Sequence, residues 1–579
     1  MIFNLCPSAG ETKKMKQNYY SIIRFLEKCK TMKELKQIHS LMVTTSFIKN
    51  IIPCSRLIDF CANSELGDIE YARSVFDGID QRSVYIWNSM IKGYCNGSDK
   101  FEALFMYEEM QRKGFSPDHF TFPFVLKVCS IIDLLRYGQG VHSRIVKTGF
   151  ELDSYTCSCL LNMYVSCGDL SSGLKVFEFI PKWNVVAWTS LIAGFVNNHQ
   201  AREALRLFQD MENEGVEPNE ITMATALAAA ARCRDIDAGK FVHNRLCQLG
   251  YDPFETNSCF NVILATAIMD MYAKCGKLET ARNLFDKMPQ RNLVVWNSMI
   301  GAYSQYGRGV EALGLFVDMG LAGFVPDKAT FLSVISACTQ LGFQSTGRSL
   351  HARVLKTSFG EYVTIGTALM DMYAKAGDAD TALKIFSKLQ KKDVMAWTTM
   401  ILGLAINGKG EEALHMFRRM KAEADVAPDR VTYIGVLWAC SHLGLVEEGQ
   451  QQFTSMTEVY SIEPTMEHYG IMIDLLSRAG QFEEAQEFLK KMPMQPNATI
   501  WSSILNGCEI YGNVGLANRV KSHIAELKHS SSGVYVLLSN IYARASNWQE
   551  MKLARDMLKH KRIGKTLGHS FVEVKLLPS

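Results

Sequence analysis

The sequence predicts an all-α chain, a solenoid of stacked helical hairpins. Three features carry that reading: a long internal repeat, a helical apolar period inside each copy, and glycines that interrupt the period at fixed places. Residues 269–300 read MDMYAKCGKLETARNLFDKMPQRNLVVWNSMI, and residues 370–401 read MDMYAKAGDADTALKIFSKLQKKDVMAWTTMI, 101 residues later. Such self-similarity overrides the several-domain expectation that 579 residues would otherwise raise. Further copies begin at Leu57 and Leu161, and a second phrase recurs between them as IHSLMVTTSF (38–47), VHSRIVKTGF (141–150), VHNRLCQLGY (242–251) and LHARVLKTSF (350–359). Its histidines, His39, His142, His243 and His351, are spaced 103, 101 and 108 residues apart. The basic interval of 101 divides into unequal units of 35, 35 and 31 residues, a triplet.

Within a unit the elements follow in a fixed order. In WNSMIGAYSQYGRGVEALGLFVDMGLAGFVPD, Trp296, Met299, Ile300 and Tyr303 fall at i, i+3, i+4 and i+7, one apolar stripe of a first helix. Gly307 ends that helix, as Gly168, Gly276 and Gly377 do in sister copies. Ala312, Phe316 and Met319 mark the stripe of a second helix, and Pro326-Asp327 closes the unit. One hairpin cannot bury both stripes, so neighbours must stack.

Bulk properties bound the function. The chain is 47% hydrophobic and 21% charged with a net charge of +3, and its mean hydropathy is near zero. That charge neither demands nor excludes a nucleic-acid partner held through phosphates. The apolar run ALAAAA (226–231) is far too short to span a bilayer. Sixteen cysteines are scattered with no CxxC, so neither a secreted disulfide framework nor a zinc ribbon is indicated, and a reducing compartment fits best. The first 19 residues hold three Lys, one Glu and no Arg, a poor match to an organellar transit peptide; residues 1–15 are kept as a candidate targeting segment.

Units of 35, 35 and 31 residues carrying these phrases resemble the plant pentatricopeptide repeat family, PLS class, E subgroup. The resemblance implies a right-handed superhelical solenoid of helix-turn-helix repeats over residues 16–497. In its register the units run 16–50, 51–83, 84–118, 119–153, 154–184, 185–219, 220–261, 262–292, 293–327, 328–362, 363–393, 394–429, 430–465 and 466–497. TYIGVLWACSHLGLVEEG and EHYGIMIDLLSRAGQFEEA resemble the family's C-terminal triplet. IWSSILNGCEIYGNVGLA and YVLLSNIYARASNWQE resemble its E-type extension, taken as residues 498–574 and followed by a short tail, 575–579. Such proteins specify C-to-U editing sites on single-stranded organellar RNA. The implied partners are that RNA, a trans-acting DYW-type cytidine deaminase and other editing-complex proteins. The implied location is the mitochondrion, with the chloroplast as alternative.

Helical repeats of this kind read about one base per unit with two or three side chains. By resemblance the readers are the fifth and last residues of a unit. Those positions pair Asn88 with Asp118, Ser158 with Asn184, Thr189 with Asn219, Thr266 with Asn292, Asn297 with Asp327, Thr367 with Asp393, and Thr398 with Asp429. A last-position Asp accepts the ring N–H of uracil or guanine, whereas an Asn amide donates to the bare ring nitrogen of adenine. By resemblance, Thr or Ser at the fifth position favours purines and Asn favours pyrimidines. The expected footprint from unit 84–118 onward is Y-n-A-A-n-A-U-n-G-G-n-n, with the edited cytidine four nucleotides beyond. The same Asp or Asn could instead simply cap the next helix; Asp153, whose unit has Pro123 at position five, needs no other explanation. Ala224, Leu332 and Ile434 at that position likewise add little specificity, and Gly470 leaves the last unit ambiguous.

A zinc cytidine deaminase requires H-x-E and P-C-x-x-C. None of the thirteen histidines is followed two residues later by Glu, so the expectation is a specificity factor and not an enzyme. No cofactor is expected for this chain, zinc belonging to the deaminase supplied in trans. The four recurring histidines lie three units apart, about 25–30 Å at ordinary helix packing distances, too far for one metal. Gly564-Lys565-Thr566 resembles the end of a phosphate loop but lacks its first glycine, Lys559 standing there, and no strand precedes it. In the extension, Trp548, Arg555 and Met557 match the family pattern and are candidate partner-docking residues, whereas Leu567 and His569 depart from it. If the extension only docks a partner, removing 532–579 spares RNA binding and abolishes editing; if it caps the last apolar face, the same deletion costs the fold. Two rival readings are a splicing or transcript-stability factor of the same fold, and a peptide-binding scaffold of tetratricopeptide type, which would lack the 35/35/31 alternation.

Overall fold

The computed structural model describes residues 20–64, 66–151, 153–179, 184–250, 259–288, 290–423, 426–526 and 532–560. Among them there are helices and turns and no strand. The candidate targeting segment, Leu567, His569 and the Gly564–Thr566 stretch lie outside these residues. The chain forms two compact units, Met1–Gln290 and Arg291–Ser579.

In the first unit the helices alternate as the repeat predicts. Ser154–Ser166 packs on its own second helix, Leu170–Glu178, and on the next first helix, Val185–Asn197. That helix packs in turn on Ala201–Asn213 and on Glu220–Cys233. First helices therefore form a row with neighbours on both sides, and second helices form a row with one face in water. Composition follows position. Val185–Asn197 buries Ala187, Trp188, Leu191, Ile192, Gly194, Phe195 and Val196, while Ala201–Asn213 buries only Ala201, Ala204, Phe208 and Met211 and is polar elsewhere. The second unit repeats this plan: Val394–Ile406 packs on Gly410–Glu423 and on Arg430–Leu443.

Two devices set the stacking register. In three of the short units a phenylalanine near the end meets the next tryptophan edge-on, Phe76 with Trp87, Phe177 with Trp188 and Phe386 with Trp397, at centroid distances of 4.7, 4.7 and 4.8 Å. Several first helices also stop at a left-handed glycine. After Leu293–Gln305, Gly307 adopts φ +74°, and the Arg308 N–H reaches back to the Tyr303 carbonyl at 2.9 Å. Gly168 and Gly377 repeat the closure, with Asp169 bonded to Tyr164 and Asp378 to Tyr373.

At the C-terminal end, Ala498–Tyr511, Val514–Glu526, Ser532–Arg544 and Trp548–His560 continue the hairpin pattern. Ile504, Leu505, Val520, Leu538, Ile541 and Tyr542 join Tyr469 and Ile473 of the last repeat in one buried cluster. The extension thus covers the apolar end of the array. Removing 532–579 would open this cluster to water, so that deletion cannot separate docking from capping.

Candidate nucleic-acid interface

The predicted reading residues sit at the N-terminal ends of the first helices. The last residue of every predicted pair accepts a backbone N–H from the start of the following helix through one side-chain oxygen. Asn184, Asn219, Asn292 and Asp393 accept the backbone N–H of Ala187, Thr222, Val295 and Ala396 at 2.8 to 3.0 Å. Asp118, Asp327 and Asp429 accept that of Thr121, Thr330 and Thr432 at 2.8 to 2.9 Å. Capping and reading are therefore not alternatives. The cap consumes one oxygen and so orients the group: an Asn must turn its amide nitrogen away from the helix end, whereas an Asp keeps a second carboxylate oxygen. The cap also decides which amide atom is which, through the hydrogen bond it must accept.

The fifth-position residues divide into two kinds. Asn88 is 8% exposed and donates from Nδ2 to Asp118 Oδ1 at 2.9 Å, while the Thr121 hydroxyl donates to its Oδ1 at 2.7 Å. Asn297 repeats this with Asp327, at 3.0 and 3.1 Å to the two carboxylate oxygens, and with Thr330 at 2.6 Å. Thr398 lies 2.6 Å from Thr432 and 3.4 Å from Asp429, and Thr189 lies 2.6 Å from Thr222, whose hydroxyl donates to Asn219 at 2.9 Å. Ser158 and Thr367 donate back to their own helices, to the Ser154 and Val363 carbonyls, both at 2.8 Å, and Thr189 combines the two, donating to the Val185 carbonyl at 2.6 Å beside its contact with Thr222. Thr266 donates to the Val262 carbonyl in the first unit, and Asn292 is a cap in the second.

Burial pushes the Asp118 and Asp327 carboxyls up, but the hydrogen bonds from Asn88 and Thr121, and from Thr330 and Asn297, outweigh it and hold both below the usual carboxylate range. Both are anionic acceptors at neutral pH.

Sequence reasoning missed a second set of residues. Three positions before six of the seven fifth-position residues, on the same helical face, stand large apolar side chains that are exposed: Tyr85, Tyr155, Val186 and Ile263 in the first unit, and Val294 and Met395 in the second, whereas Thr364 stands before Thr367. A helix facing only water would place polar groups there. The signal was present, since the second residue of these units is apolar yet lies off the buried stripe.

Each of the recurring histidines meets a tyrosine. His39, His142, His243 and His351 place Nδ1 at 2.6, 2.8, 3.1 and 3.1 Å from the hydroxyls of Tyr71, Tyr164, Tyr272 and Tyr373. They are packing residues on the side of the repeats away from the reading ends. In the extension, the helix Trp548–His560 turns Trp548 and Arg555 to one flank, 62% of Trp548 being exposed and Arg555 Nε donating to Ser539 Oγ at 3.0 Å. Met557 lies nine residues on from Trp548, on the opposite flank and nearer the exposed Leu553. The three candidate docking residues do not form one patch.

Known proteins match this arrangement along its whole length. The PPR repeat family matches residues 82–130, 183–232, 291–340 and 392–442, and the PPR repeat matches 155–185, 264–293, 367–394 and 467–495. The E motif matches residues 511–573. A pentatricopeptide repeat-containing protein of Arabidopsis thaliana is 54% identical over 561 residues, 96% of this chain and 99% of the relative. Two others from Arabidopsis thaliana, one named mitochondrial and one chloroplastic, are each 35% identical over 96% and 99% of this chain and over 85% and 81% of their own. The pentatricopeptide repeat protein PPR10 of maize, solved with an 18-nucleotide psaJ RNA element, superposes with a TM-score of 0.61 at 15% identity over 94% of this chain and 91% of its own, a likeness of fold. The chain belongs to the pentatricopeptide repeat protein family and carries an E motif at its C-terminal end.

Proposed function

We propose that this protein binds single-stranded organellar RNA sequence-specifically and marks a cytidine for C-to-U editing by a deaminase acting in trans. One observation carries the reading: the carboxylates of Asp118, Asp327 and Asp429 bond the first turn of the next helix and at the same time Asn88, Asn297 and Thr398, the fifth residues of their own units, so that each pair is held together as one polar group. In six of the seven units an exposed apolar side chain three positions before that fifth residue offers a face on which a base stacks, worth about 1–3 kcal/mol per base. Stacking holds the base and the polar pair reads its edge. The RNA bound by PPR10 and the E motif match support the same conclusion, as do the organellar names of the two relatives. The exposed flanks of the helix Trp548–His560 are the surface proposed for the deaminase, and zinc belongs to that partner.

The test uses the purified chain at one stated salt concentration. Its affinity is measured for the footprint RNA and for a version with A replacing the U opposite Asn297 and Asp327. Wild type is expected to prefer U, and Asn297→Thr with Asp327→Asn to prefer A, each by about 1–3 kcal/mol. Equal binding of both RNAs by both proteins would remove the register. Transcripts from plants lacking the protein separate editing from splicing: one unedited cytidine with intact splicing supports editing, and retained introns support the rival.

A further inference from the structure

The long units were expected to add little to specificity, because their own fifth residues are Pro123, Ala224, Leu332 and Ile434. Their third residues are nonetheless all threonine, and Thr121, Thr222, Thr330 and Thr432 are each fully buried. We propose that these threonines are specificity-determining positioning residues that lock the reading pair of the preceding unit into one hydrogen-bonded object. The inference rests on the base-reading function above and names which residues make it selective.

The geometry repeats along the chain. The Thr330 hydroxyl accepts the Asp327 backbone N–H at 3.1 Å, and its own proton is directed at Asn297 Oδ1 at 2.6 Å and Asp327 Oδ1 at 2.9 Å. Thr121 does the same, accepting from Asp118 at 3.0 Å and facing Asn88 at 2.7 Å and Asp118 at 2.9 Å. Thr432 accepts from Asp429 at 3.1 Å and sits 2.6 Å from Thr398. Thr222 sits 2.6 Å from Thr189 and donates to Asn219 at 2.9 Å.

The two readers of a pair lie some 30 residues apart in sequence and come from different helices. The threonine ties them together from a third side. In the asparagine pairs it also fixes the amide: the carbonyl faces the hydroxyl and the nitrogen faces the carboxylate, so the base meets one pattern of donor and acceptor. A mismatched base then confronts groups that cannot turn to suit it, which is how a preorganised site discriminates. After the units 154–184 and 363–393 the equivalent third residues are Ala187 and Ala396. There the hydroxyls of Ser158 and Thr367 bond their own helices, as that of Thr189 also does, but alanine supplies no hydroxyl like that of Thr222 to tie them from a third side. Selectivity is thus concentrated at Asn88/Asp118, Thr189/Asn219, Asn297/Asp327 and Thr398/Asp429, and mismatches opposite Ser158/Asn184 and Thr367/Asp393 are tolerated.

The experiment measures Kd of the full chain for footprint RNAs carrying each of the four bases opposite Asn297/Asp327. Thr330→Val is expected to lower the ratio of mismatched to matched Kd by about tenfold, while Thr330→Ser keeps it within about twofold. Ala396→Thr, which supplies the missing hydroxyl beside Thr367 and Asp393, is expected to raise the ratio opposite that pair. An unchanged ratio in a Thr330→Val protein that melts like wild type overturns the lock while leaving base reading intact. If Thr330→Val does not fold, Ala396→Thr decides, and an unchanged ratio there overturns the proposal. Wild type showing no base preference opposite Asn297/Asp327 overturns the reading itself, and the lock with it.

Discussion

The last-position carboxylates bond in two directions at once. Asp327 caps the helix Lys328–Leu341 with Oδ1 and shares both carboxylate oxygens with the amide of Asn297. Because hydrogen bonds hold it and Asp118 below the usual carboxylate range, the acceptor is present throughout the neutral region. The expected swap of preference on Asn297→Thr with Asp327→Asn is a residue-scale effect. It changes what one base edge meets and leaves the cap in place, since Asn caps as well as Asp. The loss of discrimination on Thr330→Val belongs to the same scale.

Helix contacts set the next level. His39, His142 and His351 are held neutral by burial, which lowers their pKa below the ordinary 6.5. The unfolded chain then binds more protons than the folded one as pH falls through that value, so stability is fully present above it and declines below it. Thermal melts are expected to show a lower midpoint at about pH 5.5 than at pH 7.5, with His351→Gln reducing the difference. A pH-independent midpoint across that range would contradict the assignment. Close approach of first helices is the other element-scale constraint. A β-carbon on Gly403 would stand 2.7 Å from Ala374 Cβ, and one on Gly194 would enter the Val165 side chain. Gly403→Val is therefore expected to destabilise by about 1–3 kcal/mol, measured by urea unfolding, through overpacking and not through lost backbone freedom.

For the chain as a whole, the extension serves the array before it serves a partner. Leu538 is 1% exposed within the cluster that spans the last repeat and the extension. Leu538→Ala is expected to cost about 2–5 kcal/mol and to weaken RNA binding at physiological temperature. Trp548→Ala removes an exposed ring and is expected to change stability by no more than about 0.5 kcal/mol. If the flank bearing Trp548 and Arg555 docks the deaminase, that variant binds RNA normally and fails to restore editing in plants lacking the protein. Full editing by Trp548→Ala would move the docking surface to the other flank, around Leu553 and Met557.

Helix hairpins and their register are legible in the residues alone, because they follow from spacing: apolar side chains at i, i+3 and i+4, and a glycine at many of the stops; the reading positions come from the family resemblance. Such patterns are set by local geometry, and Trp296, Met299, Ile300 and Tyr303 are buried as their period requires. What spacing could not supply is the bonding between segments about 30 residues apart, which exists only once hairpins stack. That is why capping and pairing with the fifth residue looked like competing explanations for Asp118 and Asp327, when stacking shows one carboxylate bonding the helix end and Asn88 or Asn297 together. The same reason explains why Thr121, Thr222, Thr330 and Thr432 drew no attention, being ordinary first-turn residues until a neighbouring unit brings Asn88, Thr189, Asn297 and Thr398 against them. It also explains why Trp548 and Met557, neighbours in a motif, stand on opposite flanks of one helix. Local sequence determined the units of this protein, and only their packing decided which polar atoms are used up and which remain to meet a partner.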